Sequence, residues 1–315
     1  MPRPPELSVI IPHHEDPERL RRCLMALAPQ LDAVGDRVEA LVVDNASRHS
    51  VRPQPMPHPR IRLLHEARRG AAHARNRAVA ESRAPWLAFL DCDCVPAEDW
   101  LAQALRLARG PALVGGAVRL FDETPAPRSG AEAFEAVFAF DNEGYIARQG
   151  FSVTANLLAP RAAFDRAGGF RAGLSEDLDW CRRAVAAGFG LRFEPRLAVA
   201  HPSRADWPAL ARKWRRTTEE AWGLRAGEHG GLRGGGPRAR ALWALRALAM
   251  IPSVAAHAPR VLRHEALGPG ERARALATLA RLRLARCGWM LRQAARPARA
   301  ENRVATQPEI VNHRL

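Results

Sequence analysis

Apolar positions fall in two kinds of block along this chain, and their alternation predicts a sheet with helices between its strands. Short, nearly continuous apolar runs at 7–12, 38–43, 61–65, 86–90 and 113–120 have the length of buried strands. Longer segments with helical spacing lie between them, at 16–31, 70–83 and 97–109. Further along, helices are expected at 131–141, at 160–167 and from Glu176 to Gly188, with strands at 153–159, 190–194 and 197–201. Strand and helix alternating in this order mark an α/β domain with a mainly parallel sheet. The proline-rich stretch 51–60 and the segment 122–130 read as surface loops.

After Pro202 the pattern changes. A helix is expected over 205–224, carrying Arg212-Lys213-Trp214-Arg215-Arg216, and a glycine-rich break follows at 227–236. The stretch 241–258 is largely apolar but holds Arg246, Pro252 and His257, and it is short for a membrane span. Residues 271–294 place Leu276, Ala280, Cys287, Met290, Leu291 and Ala294 on one helical face. Arg283 interrupts that face, and Leu282 and Trp289 fall off it. The expected division is a domain at 1–226, a linker at 227–236, a basic helical region at 237–300 and a tail at 301–315.

Charge sharpens that division. The net +15 is uneven: residues 1–202 carry 26 Arg against 25 Asp and Glu, whereas 203–303 carry 20 Arg and Lys213 against 7 acids. A cationic third beside a near-neutral domain points to a polyanion, and an anionic membrane surface is the expected partner. Nucleic acid is disfavoured, because the tryptophans here (Trp214, Trp222, Trp243, Trp289) are widely spaced and no nucleic-acid module is visible. Five cysteines without a CxxC pair argue for a reducing compartment. Cys92 and Cys94 alone make a poor zinc site. No signal peptide is visible ahead of Pro12, so the expected location is cytoplasmic, peripheral on the inner face of the cell membrane.

The candidate chemistry lies where apolar runs stop. Trp86 to Leu90 ends in Asp91-Cys92-Asp93, with Pro96 closing the turn. Ligands of α/β sheets bind beyond the carboxyl ends of the strands, and two alternating carboxylates can share a divalent cation, one of them through water. Leu7-Ser8-Val9-Ile10-Ile11-Pro12 and Leu41-Val42-Val43-Asp44-Asn45-Ala46-Ser47 are two more strands ending in polar groups, and Gly70-Ala71-Ala72-His73-Ala74-Arg75-Asn76 opens a helix. Ser175-Glu176-Asp177-Leu178-Asp179 places acids at a helix start, where the dipole favours them whatever else they do.

Taken in order, these segments resemble the signatures of the family 2 glycosyltransferases, nucleotide-sugar-dependent enzymes with a GT-A fold, over about residues 7–205. The resemblance implies a Rossmann-like, mixed but mainly parallel sheet flanked by helices, here with a basic helical C-terminal appendage. It implies donor binding by Pro12, His13, Asp44, Arg75, Asn76 and Asp91, with Mg2+ or Mn2+ held by Asp91, Asp93 and His201. Asp177 falls at the family's general-base position, with Glu176 as its rival. The reaction so implied moves a sugar from a nucleotide-sugar donor to a glycan or lipid-linked acceptor.

Two departures stand out. His13 and His14 replace the aromatic residue and asparagine common after the first proline, and the Q-x-x-R-W motif of processive synthases is missing. Single addition with inversion is therefore the expected mode.

 The inverting outcome goes with direct displacement at the anomeric carbon. Two other classes compete. A catalytically silent GT-A-like domain with a membrane- or nucleic-acid-binding tail need not keep Asp44, Asp91, Asp93, Asp177 and His201 together. A metal-dependent nucleotidyltransferase would want a glycine-rich phosphate loop after the first strand, where His13-His14-Glu15-Asp16 stands.

Overall fold

In the computed structural model, which describes residues 4–48, 56–228 and 236–295, the chain begins β1 (Leu7–His13), α1 (Pro17–Val34), β2 (Val38–Asn45) and β3 (Ile61–Glu66). It continues through α2 (Ala71–Glu81), β4 (Trp86–Leu90), β5 (Val95–Pro96), α3 (Trp100–Leu107) and β6 (Leu113–Phe121). Then come α4 (Gly130–Phe138), α5 (Asn142–Gln149), β7 (Asn156–Pro160), α6 (Arg161–Ala167), α7 (Glu176–Ala186) and β8 (Leu191–Pro202). Four helices close the described chain: α8 (Trp207–Glu228), α9 (Pro237–Leu248), α10 (Ser253–Leu262) and α11 (Pro269–Ala295).

The strands form one sheet in the order β3-β2-β1-β4-β7-β6-β8-β5. The first four are mutually parallel, β7 runs against both β4 and β6, and β8 is parallel to β6. The sheet is therefore mixed and mainly parallel, as expected. Strands β1 and β4 are buried along their whole length, which is why their sequences are apolar without alternation. Helices α1 and α3 cover one face through Leu20, Leu24, Leu27, Trp100 and Leu101. Helices α2, α6 and α7 cover the other through Ala74, Ala78, Ala163 and Trp180.

Several elements differ from expectation. The expected helix 131–141 stops at Phe138, and α5 follows after Asp141, which caps it by accepting from Gly144 N at 3.1 Å. The two expected strands at 190–194 and 197–201 are one strand, β8, with an irregularity opposite Gly116 and Ala117. There a Cβ on Gly116 would stand 2.1 Å from the Leu197 carbonyl oxygen, so only glycine lets the backbones approach this closely. Strand β5 is too short to announce itself in the sequence.

The C-terminal helices pack on α4 and α8. Phe134 and Leu210 share a core with Val261, Ala275, Leu279 and Leu282, while Cys287, Met290 and Ala294 pack with Trp243 of α9. Helix α11 thus buries two faces, and Leu282, off the stripe read from the sequence, is 1 % exposed for that reason. The 241–258 stretch breaks between α9 and α10 and leaves Leu242, Leu245, Leu248 and Ile251 exposed. Among the described residues no single helix is long and apolar enough to cross a membrane, and α9 with α10 meets that length only as a pair bent by 46°. The 227–236 break lies mostly outside the described residues, as do 296–300 and the tail at 301–315.

Candidate active site

Strand register assembles the first part of the site. In the pairing of β1 with β2, Pro12 lies opposite Val43 and His13 opposite Asp44, at the carboxyl ends of both strands. Asp44 is 3 % exposed, yet neither its Oδ1 nor His13 Nδ1 has a hydrogen-bond partner among the described residues. Burial, above all, pushes the His13 pKa down and keeps the ring neutral. Its Nε2 accepts from Asp16 N at 3.1 Å, which leaves the proton on Nδ1, 3.7 Å from Asp44 Oδ1. His65, at the end of β3, brings its Nδ1 to 3.5 Å from Asp44 Oδ2. An acceptor and a donor, both buried and unpaired, are polar groups waiting for a ligand. Asn45 shapes the neighbouring turn: its Oδ1 accepts from Gly70 N at 2.7 Å and its Nδ2 donates to Arg68 O at 2.7 Å. Gly70 adopts φ 125°, a conformation that glycine tolerates, and opens α2 with room above its backbone.

Arg75 and Asn76, both expected at the donor, are held by protein groups. Arg75 is 3 % exposed and bridges two carboxylates, Asp91 Oδ1 at 2.7 Å and Glu176 Oε1 at 2.9 Å. It ties α2 to the end of β4 and to the start of α7. Asn76 turns to the backbone of Phe170, donating to its carbonyl and accepting from its N–H, each at 2.8 Å. Its amide therefore positions the 168–170 turn.

The second part of the site forms where β5 pairs with β8. Val95 lies opposite Ala200 in an antiparallel ladder, and carrying that register back puts Cys94 opposite His201, with Asp93 one residue further on. His201 Nδ1 donates to Pro202 O at 2.7 Å, which turns Nε2 toward Asp93 Oδ2, 3.3 Å away. In the neutral imidazole Nε2 then carries a lone pair, and the two atoms can share one cation. A backbone carbonyl fixing the tautomer from behind is also how ligating imidazoles are usually held. Asp93, Cys94 and His201 offer ligand atoms within 4.8 Å of one another, and these residues fit a divalent cation. Cys94 is the weakest of the three, since burial, then Asp93 and Asp91, push its thiol well up and keep it protonated. Asp91, expected to share the ion, is outside that group and engages Arg75 instead.

The third part is the start of α7. Glu176 is engaged by Arg75, whereas Asp177, among the described residues, accepts only from Leu178 N, at 2.9 Å. Burial, with Glu176 adding, pushes the Asp177 carboxyl up to about 6. Ser175, in the cap position, makes no side-chain capping bond, so helix capping does not account for this cluster. Farther along α7, Asp179 holds Arg183, whose guanidinium binds the carbonyls of Ala167 and Gly169. Sequence reasoning missed His65 and Glu220, and it weighed Cys94 only as half of a poor zinc site. His65 ends a strand beside Asp44 and could have been found from the β2–β3 register alone. Glu220 lies on α8, and no local signal ties it to α7.

Comparison with known proteins gives the family. The family model for glycosyl transferase family 2 matches residues 8–179. The chain is 30 % identical over 220 residues to the glycosyltransferase AglE of Haloferax volcanii, covering 67 % of this chain and 71 % of that protein. It is 31 % identical over 238 residues to the pre-mycofactocin glycosyltransferase of Mycobacterium tuberculosis, where the match spans about half of the relative, 47 %. Among solved structures, the mannosyltransferase PcManGT of Pyrobaculum calidifontis, in complex with GDP-Man and Mn2+, superposes with a TM-score of 0.51 at 19 % identity, covering 93 % of this chain and 74 % of that one. The chain belongs to glycosyl transferase family 2 and is a glycosyltransferase.

Proposed function

We propose that the protein transfers a sugar from a nucleotide-sugar donor to a hydroxyl of a lipid-linked or cell-envelope glycan acceptor, in single additions with inversion and with a divalent cation. The observation that carries this is the approach of Asp93 Oδ2 to His201 Nε2, 3.3 Å apart, at the same carboxyl end of the sheet's strands as Asp44, whose Oδ1 has no partner among the described residues.

The buried Asp44 and His13 offer an acceptor and a donor to the nucleobase, beneath the turn that Asn45 and Gly70 shape. Asp93 and His201 hold Mg2+ or Mn2+, and imidazole favours the softer Mn2+. When bound, that ion stabilises charge on the departing diphosphate as a Lewis acid. Arg75 keeps Asp91 and Glu176 in place, and Asn76 supports the turn behind them. Asp177 takes the proton of the acceptor hydroxyl as its oxygen bonds to the anomeric carbon and the bond to the diphosphate breaks. A carboxyl near 6 is mostly ionised at neutral pH and still basic enough for that task. The exposed leucines of α9, on the cationic third of the chain, suit peripheral attachment to an anionic membrane that presents the acceptor.

The test is a screen of UDP-, GDP- and dTDP-sugars for thermal stabilisation and slow donor hydrolysis, with Mn2+ and with EDTA. One nucleotide should stabilise the protein only with the metal. Absence of any response would support a silent domain instead.

A further inference from the structure

Helix α8 carries a cationic pocket that the family comparison does not explain. Ala209, Arg212, Lys213 and Arg216 are spaced three and four apart, so they share one helix face, and with Arg204 they line a cavity of about 250 Å³. Glu135, 1 % exposed, takes Arg204 Nη1 and Lys213 Nζ, each at 2.9 Å. Arg212 has no ion-pair partner among the described residues, and Arg216 Nε is 3.5 Å from Glu220. Like charges four apart on a helix repel, yet here they converge on one cavity, with positive charge in excess of the two carboxylates.

The pocket adjoins the candidate active site on two sides. Lys213 Nζ lies 5.1 Å from the centre of the Phe140 ring, and that ring is 4.9 Å from His201, the partner of Asp93. One helical turn beyond Arg216, Glu220 comes close to Glu176 and Asp177. Its carboxyl is pushed up to about 7 by burial, with Arg216 opposing and those two acids adding. Arg216 therefore stands on the side of the base.

We propose that this pocket is the anion subsite of the acceptor, where Arg212 and Arg216 grip a phosphoryl group while the acceptor's hydroxyl reaches Asp177. The proposal rests on the glycosyltransferase function and base stated above, and it narrows the acceptor to a phosphate- or diphosphate-bearing molecule. Arg204 and Lys213 are neutralised by Glu135 and shape the wall, so the grip belongs to the two exposed arginines, of which Arg216 also leans on Glu220. Helix α9 packs on the last turns of α8, Trp222 against Trp243 at 5.4 Å, and carries the exposed leucines. That neighbourhood favours a lipid as the carrier of the phosphoryl group.

The experiment is calorimetric titration of the full chain in EDTA with inorganic pyrophosphate, farnesyl diphosphate and farnesol. It is repeated with Arg212→Gln, Arg216→Gln and the double variant. Pyrophosphate and farnesyl diphosphate should bind and farnesol should not, and each substitution should weaken binding about tenfold, as for the loss of one charge-assisted hydrogen bond. Tighter binding of farnesyl diphosphate than of pyrophosphate assigns a lipid carrier, and equal binding assigns a soluble phosphorylated acceptor. Both arginines are exposed, so an unchanged melting temperature will confirm that the variants fold. Absence of pyrophosphate binding, or binding unchanged in the double variant, overturns the proposal. So does an equal loss of affinity for a nucleoside diphosphate with Mn2+, which would assign the pocket to the donor. A wild-type chain that binds no nucleoside diphosphate at all would instead count against the donor site, and the pyrophosphate titrations would still decide this one.

Discussion

The strand ends of residues 1–202 and the helices after them recognise charge in opposite ways. At the strand ends, each polar side chain has a defined place: His13 opposite Asp44 by register, Arg75 between Asp91 and Glu176, His201 tautomerically fixed toward Asp93. The charges there nearly cancel. In the C-terminal helices cations outnumber acids, half-buried Arg283 and Arg286 have no carboxylate partner among the described residues, and large apolar side chains face outward. The first arrangement suits a ligand of fixed shape held in one pose. The second suits an extended anionic surface, where many weak contacts add up.

The sharpest way to break this contrast is at its fixed end. Asp93→Asn should lower turnover by about 10³-fold or more, in line with losing a group that stabilises developing charge. Steady-state rates at saturating Mn2+ would measure this, and a full rate in EDTA would remove the metal from the account. Asp177→Asn should lower transfer by about 10²- to 10⁴-fold while nucleoside diphosphate affinity holds. If Glu176→Gln is dead and Asp177→Asn nearly normal, the base is the neighbouring residue.

The same carboxyl predicts a pH dependence. Wild-type transfer should rise with pH through about 6 as Asp177 ionises. Its raised pKa means that ionisation costs stability in the folded state, and this cost appears as pH climbs through that value. Asp177→Asn should therefore melt higher than wild type at pH 8, with the difference fading below about pH 4, near the ordinary carboxylate pKa. Melting curves across that range would show it.

Two smaller effects probe the other half and the seam. Replacing Leu242, Leu245 and Leu248 together by Ser should weaken co-sedimentation with anionic vesicles at least tenfold, since burying each leucine contributes on the order of 1 kcal/mol. A chain that prefers DNA to such vesicles would count against membrane attachment. Asn76→Ala should cost about 1–2 kcal/mol of stability through its two lost bonds to Phe170. A large loss of donor affinity without any fall in melting temperature would return Asn76 to the donor site.

Much of the fixed half was legible in the sequence. Strands β1, β2 and β4 are buried on both faces, so continuous apolar runs marked them to within a residue or two, and their polar ends marked Asp44 and Asp91. What depends on pairing between distant segments was not legible. Strand β5 is two residues long and exists because β8 receives it. The engagement of Asp91 with Arg75, and the turn of Asn76 toward Phe170, follow from where α2 packs. In the C-terminal helices a single apolar stripe was sought, whereas α11 packs on two sides and buries Leu282 as well as Met290.

The irregularity in β8 sets which residue meets Asp93. Between Gly116 and Ala117 the partner strand advances from Glu194 to Ala198, so residues 195–197 are extra. Side chains alternate along a strand, and an insertion of odd length reverses the face of everything after it. His201 points where it does because that count is odd. Deleting one of these residues, with the pairing up to Glu194 kept, would bring Pro202 into its place and remove the imidazole without mutating it. Parity, set by the length of this spacer and permitted by the glycine opposite, is thus as much a determinant of the site as the histidine itself.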